Sequence, residues 1–183
     1  DGRYYGVTSY GGNGGTRSLH PRVAACDGIF YTTGPASEPE PDQRPVKISM
    51  VLDGTSQTIL FGERDHYDRN YETFAAVGWV DSLELFGTWA AIGGRRNIAD
   101  VTMSAFTVIN YRIPFNYANR SGAVPPALSS GDFEVYEDRR ESAFGSRHPN
   151  GANFAFTDGS VRFLAESLPW TSLKALCTRA GGE

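Results

Sequence analysis

Between residues 153 and 164 the chain reads NFAFTDGSVRFL, the stretch that most restricts what it can fold into. Apolar and polar residues alternate on either side of Asp158-Gly159, the period of a strand rather than a helix. Asp-Gly suits a two-residue type I′ turn, in which both central residues take positive φ. The segment predicts a β-hairpin turning at Asp158 and Gly159, with Phe154, Phe156, Val161 and Phe163 on its apolar face. Residues 167–178, SLPWTSLKALCT, predict a short helix after it. Pro169 fits a first turn, Trp170, Leu173, Leu176 and Cys177 share one face, and Gly181-Gly182 ends the helix. A helix this short is marginal alone, so it must dock on the sheet.

Upstream, 21 glycines and 10 prolines in 183 residues require many turns, while 40% hydrophobic residues suffice for a core. Residues 1–16 suggest a short strand and a loop, 29–33 a strand, and 34–45 a proline-rich acidic loop unable to enter a sheet interior. Residues 46–52 fit a strand or a helical turn, 58–63 a buried strand, 64–72 a charged surface loop and 73–80 another strand. From 81 to 130 the pattern is broken, with one strand at 102–109; a loop covers 129–142 and Pro149-Asn150-Gly151 turns the chain. Asp-Gly recurs at 1, 27, 53 and 158, but the flanking residues do not align and define no repeat. The expectation is one α+β domain over residues 1–183: an antiparallel sheet, irregular loops and a short C-terminal helix.

Charge and motifs exclude several functions. Seventeen basic against 21 acidic residues give a formal net charge of −4, without the basic face that sequence-independent nucleic-acid binding needs. No apolar run approaches the roughly 18 residues of a membrane span. The N-terminus, Asp1-Gly2-Arg3-Tyr4, lacks Met, a basic region and an apolar region, so the chain reads as mature, trimmed or cut from something longer. GxGxxG, HExxH and a phosphate loop are absent, and neither Ser56 nor Ser146 sits in a GxSxG elbow.

His66 stands among Asp65, Asp68 and Glu72, and Asp53 and Glu63 bracket DGTSQTILFGE. These acids admit Ca²⁺, but the regular spacing and glycine of a calcium loop are missing. A solvated loop around His66, a turn at Asp53 and an arginine partner for Glu63 are the expectations. His148 and Asp158 invite pairing as base and orienter, but five residues of strand put them about 16 Å apart, beyond hydrogen-bond reach. Asp158 should start a tight turn and His148 cap the preceding one. No nucleophile, base and orienter assemble, so neither catalysis nor a cofactor is expected. Cys26 and Cys177 fit no zinc or redox spacing. They are two buried thiols, or one disulfide closing a loop of about 150 residues, which chain entropy values at roughly 4–5 kcal/mol. Tyr4, Tyr5, Tyr10, Trp79 and Trp89 leave open an extracellular carbohydrate- or solute-binding module that works by stacking.

Three ordered stretches carry a resemblance: DGTSQTILFGER from Asp53, RHPNGANFAFTDGSVRFL with nine residues between His148 and Asp158-Gly159, and the terminal LCTRAGGE. Together they resemble the DUF1559 family, prepilin-like proteins of planctomycete bacteria with an H-x9-DG element. TSYGGNGGT and DGIFY look like that family's middle region. The resemblance makes Asp53, Gly54, Glu63, His148, Asp158 and Gly159 a structural motif. It implies the head of a type IV pilin-like or pseudopilin-like subunit, a non-enzymatic structural protein at the cell surface or in the periplasm. A leader and a long apolar helix would precede this sequence, reach the membrane and mediate assembly with itself or other pilin-like subunits. A disulfide between Cys26 and Cys177 would suit such an extracytoplasmic location.

Overall fold

Alternating strands form the centre of the fold. A computed structural model describes residues 6–18, 24–31, 45–87, 101–121 and 127–182. Its elements run β1 (Tyr10–Asn13), β2 (Ile59–Glu63), α1 (Arg69–Ala75), β3 (Thr102–Met103), α2 (Ser130–Ser142), β4 (Gly151–Phe156), β5 (Val161–Ala165) and α3 (Trp170–Cys177). The strands make one sheet in the order β3-β1-β2-β4-β5. All pairings are antiparallel except β1 with β3, which is parallel and departs from the antiparallel expectation.

β4 and β5 form the expected hairpin, but with a different turn. Among the non-glycine residues with positive φ, Asp158 is absent; Gly159 alone turns left-handed, at φ 85°. Gly159 N–H donates to the Phe156 carbonyl (2.9 Å) and Phe156 N–H to the Ser160 carbonyl (2.8 Å). Thr157-Asp158-Gly159 is therefore a three-residue loop closing on a left-handed glycine. One extra loop residue shifts the register by one and turns every β5 side chain over. Asn153 lies opposite Phe163, and Phe154 opposite Arg162. Phe154 and Phe156 are buried, whereas Val161 and Phe163 are 69% and 50% exposed, so the expected single apolar face is split between the two faces.

α3 covers the buried face, as its apolar stripe predicts. Leu173 and Cys177 pack with Ile59, Met103, Phe144 and Phe154. Trp170 stays exposed, its Nε1 donating to the Ala105 carbonyl (2.8 Å). Gly62 lies under this core because a Cβ there would overlap the Phe144 and Phe154 rings.

The expected strand at 73–80 is replaced by helix and turn. Asp68 accepts from the N–H groups of Asn70 (3.0 Å) and Tyr71 (3.3 Å), capping α1 where hydrophobicity suggested extension. The expected loop at 129–142 is α2, started by the reciprocal Ser129–Asp132 capping box. No apolar stripe announces α2, because its buried positions include Asp138, Arg140, Glu141 and Ser142. The expected 102–109 strand is reduced to two residues, and 46–52 holds a single 3-10 turn at Ile48–Met50. Residues 29–31 are not strand; the remainder of that expected strand and most of the 34–45 loop lie outside the described residues. Between α1 and α2, Tyr71, Phe74, Phe115 and Phe133 form a second core, with Phe74 and Phe133 stacked at 4.0 Å between ring centroids.

Candidate functional site

The three segments DGTSQTILFGER, RHPNGANFAFTDGSVRFL and LCTRAGGE converge at two places on the sheet. At one end of β2, Asp53 gathers the C-terminal segment. Its Oδ2 accepts from Gly181 N–H (2.7 Å) and its Oδ1 from Gly182 N–H (2.9 Å). The Leu52 N–H donates to the Arg179 carbonyl (2.6 Å). Gly54, at φ 97°, lets the chain turn there. The adjoining Thr55 carbonyl accepts from Asp158 N–H (3.0 Å) and the Thr157 hydroxyl (2.7 Å), so the first turn carries the hairpin loop. Asp158 Oδ1 in turn accepts from the N–H and hydroxyl of Ser160 (2.9 and 2.7 Å), which holds its carboxyl below the usual range.

At the other end of β2, Glu63 meets His148. Glu63 Oε1 lies 3.2 Å from His148 Nε2. Its Oε2 accepts from the Asn153 N–H (2.7 Å) and side-chain amide (3.3 Å). The partner of Glu63 is therefore a histidine and a strand amide, not the expected arginine. His148 N–H donates to Ser146 Oγ (3.0 Å), whose hydroxyl donates to the Gly151 carbonyl (2.7 Å), so the side chain that caps this turn is Ser146, not the expected His148. His148 and Asp158 serve opposite ends of β4.

A cleft of about 510 Å³ opens beside Glu63 and His148. Arg64, Asp65 and His66 line one wall, and Ser146 and Arg147 the other, with Ser9 at the rim. The expected surface loop at 64–72 is instead largely inside: Arg64, Asp65 and Asp68 are buried. Burial opposes ionisation of Asp65, but the hydrogen bond and charge of Arg112, the Tyr67 N–H and the charge of Arg140 hold its carboxyl below the usual range. Arg140 Nε donates to Asp68 Oδ2 (3.1 Å), and its guanidinium also donates to the Asp65 carbonyl (2.9 Å). Burial and the neighbouring Arg112 push Arg140 downward, against the pull of Asp68 and Asp65. His66 Nε2 lies 3.0 Å from the Thr8 carbonyl, which can only accept, so that nitrogen carries the proton. Among the described residues no group of three or more His, Cys, Asp or Glu side chains is arranged to hold a metal ion.

Cys26 and Cys177 are both buried free thiols, and burial raises the Cys177 pKa above its ordinary value. Of the candidate stacking residues, Trp79 is half-buried against Phe74 and Tyr117, and Tyr10 is exposed. Tyr4, Tyr5 and Trp89 lie outside the described residues.

Asn13 is the residue that the sequence reading missed. Its amide donates to the Ile59 and Cys177 carbonyls (both 2.8 Å), and its Oδ1 accepts from Gly15 N–H (2.8 Å). One buried side chain thus joins β1, β2 and the end of α3. A lone polar residue within GGNGG was its only trace, since those glycines allow the close approach that such a bridge needs.

A family model described as "Protein of unknown function (DUF1559)" matches residues 2–170. No curated protein and no solved structure matches the chain.

Proposed function

The chain belongs to the DUF1559 family of proteins of unknown function, and from that premise we propose that it is the head of a non-enzymatic, extracytoplasmic structural subunit of pilin-like or pseudopilin-like kind. The observation that supports this reading is how the residues carrying the resemblance are used. Asp53 accepts from the Gly181 and Gly182 N–H groups, Glu63 from the Asn153 N–H, and Asp158 from the Ser160 N–H. Carboxylates bound to backbone N–H groups fix turns and strand ends, which supports a structural role for these residues.

On this reading an apolar helix preceding residue 1 anchors the subunit and brings heads together, with itself or with other pilin-like subunits. Among the described residues no helix is long and apolar enough to cross a membrane. The test is electron microscopy of the natural full-length chain extracted from its envelope. Heads in a repeating array are expected; a dispersed monomer in the presence of an intact apolar helix would overturn the reading.

The alternative, an extracellular carbohydrate-binding module, needs an open aromatic platform. Trp79 gives it little support, because its ring packs against Phe74 and Tyr117 and beneath Arg120. The cleft beside His148 is polar and charged and favours a different ligand chemistry.

A further inference from the structure

We propose that the cleft between β2 and the segment leading into β4 is a binding site for a small solute that presents an oxyanion, a carboxylate or a phosphate. The site is independent of whether the head assembles. Its volume of about 510 Å³ lies within the range of small-molecule pockets, roughly 300–1,000 Å³.

Both carboxylates in the cleft are satisfied from within the protein. Glu63 holds His148 and Asn153, and Asp65 holds Arg112 and the Tyr67 N–H. A cationic ligand would have to displace these partners.

Arg147 is less fully used: its side chain is 74% exposed, and among the described residues its one ion pair is Nε at 3.5 Å from Asp65 Oδ1. The guanidinium lies 5.4 Å from the centre of the Tyr67 ring, which orients it without supplying an acceptor for its terminal nitrogens. His148, 57% exposed, lines the same cleft with Nε2 at 3.2 Å from Glu63 Oε1. Arg64 and Arg147 stand against Glu63 and Asp65 along the lining, and Asp65 takes its closest guanidinium from Arg112 rather than from Arg147. A planar guanidinium with free terminal N–H groups fits a two-oxygen anion in bidentate fashion.

The experiment is calorimetric titration of the folded chain with three probes: inorganic phosphate, acetate and, as a neutral control, glucose. Saturable binding of phosphate or acetate is expected, with Kd on the order of 1–10 mM, and the stronger of the two tells a phosphorylated from a carboxylated solute. Arg147→Gln should weaken that binding about tenfold, a change of roughly 1.4 kcal/mol. Arg147 is exposed, so the variant should fold; His148→Gln, checked by circular dichroism, provides a second reading of the same wall. Arg162→Gln, on β5 and away from the cleft, should leave binding unchanged. Absence of saturable binding by either anion, or equal weakening by Arg147→Gln and Arg162→Gln, would overturn the proposal.

Discussion

In the sheet half, β2, β4 and α3 bury Ile59, Phe154, Phe156 and Leu173 in one layer. In the other half, α1 and α2 enclose the rings of Tyr71, Phe74, Phe115 and Phe133, beside a seam of buried ions. The carboxylates differ in the same way. Those of the sheet half, Asp53, Glu63 and Asp158, accept from backbone N–H groups close to a turn or strand end. Asp65 and Asp68 at the seam also accept from the guanidinium groups of Arg112 and Arg140. The strands and the C-terminal helix of the sheet half are marked by local alternation and turn residues, although Asp53 and Glu63 reach partners 90 to 129 residues away; the helices of the other half rest on ionic partners that no local pattern names.

The largest test of this contrast is Asp68→Ala. Asp68 holds Arg140 and the N–H groups of Asn70, Tyr71 and Ile113. Removing one member of a buried pair costs about 3–5 kcal/mol, because the other charge is left stranded. Equilibrium urea unfolding should show that loss, and hydrogen exchange should show α1 and α2 opening before β2 and β4. Simultaneous opening of both halves would break the comparison.

Acid sharpens it with a smaller effect. The folded Asp65 carboxyl titrates below its ordinary value, so its contribution is present above the unfolded value of about 3.9. It is lost as pH falls from there through the lower folded value. Stability measured against pH should therefore decline on the acid side, and Asp65→Asn, which has already lost the contribution, should decline less steeply. An unchanged acid limb in that variant would remove Asp65 from the seam's balance.

The smallest effect belongs to a turn. Gly159→Val forces a β-branched residue to φ near 85°, although a Cβ there meets no atom within 4 Å. Strain alone should cost about 1–3 kcal/mol, read as a lower urea midpoint with the hairpin retained. A neutral substitution would mean that the loop relaxes to another turn type.

Legibility follows the same divide. The hairpin, the strand ending at Glu63 and the C-terminal helix were readable, because alternation, Asp-Gly and the Trp170–Cys177 stripe are local signals. The register of β5 was not: a two-residue and a three-residue loop share the same Asp158-Gly159, and the choice decides which face Val161 and Phe163 occupy. α2 was invisible because its buried face is ionic and finds its partners in residues 65–71 and in Arg17. The separation of His148 and Asp158 follows from strand geometry, and the two lie toward opposite ends of β4. The pairing of Glu63 with His148 spans 85 residues of sequence, and no spacing rule could supply it.

The central claim is that the residues carrying the family resemblance hold the fold together, and Glu63 tests it most directly. Its carboxylate joins the end of β2 to Asn153 on β4 and to His148. The decisive measurement is the unfolding free energy of Glu63→Ala in urea, beside His148→Ala and the double variant. The account predicts a loss of about 1–3 kcal/mol for Glu63→Ala, the cost of leaving the half-buried Asn153 strand amide without its acceptor. It also predicts that the double variant loses less than the sum of the two single ones. Stability of Glu63→Ala within about 0.5 kcal/mol of the parent, the range of an ordinary surface change, would contradict it.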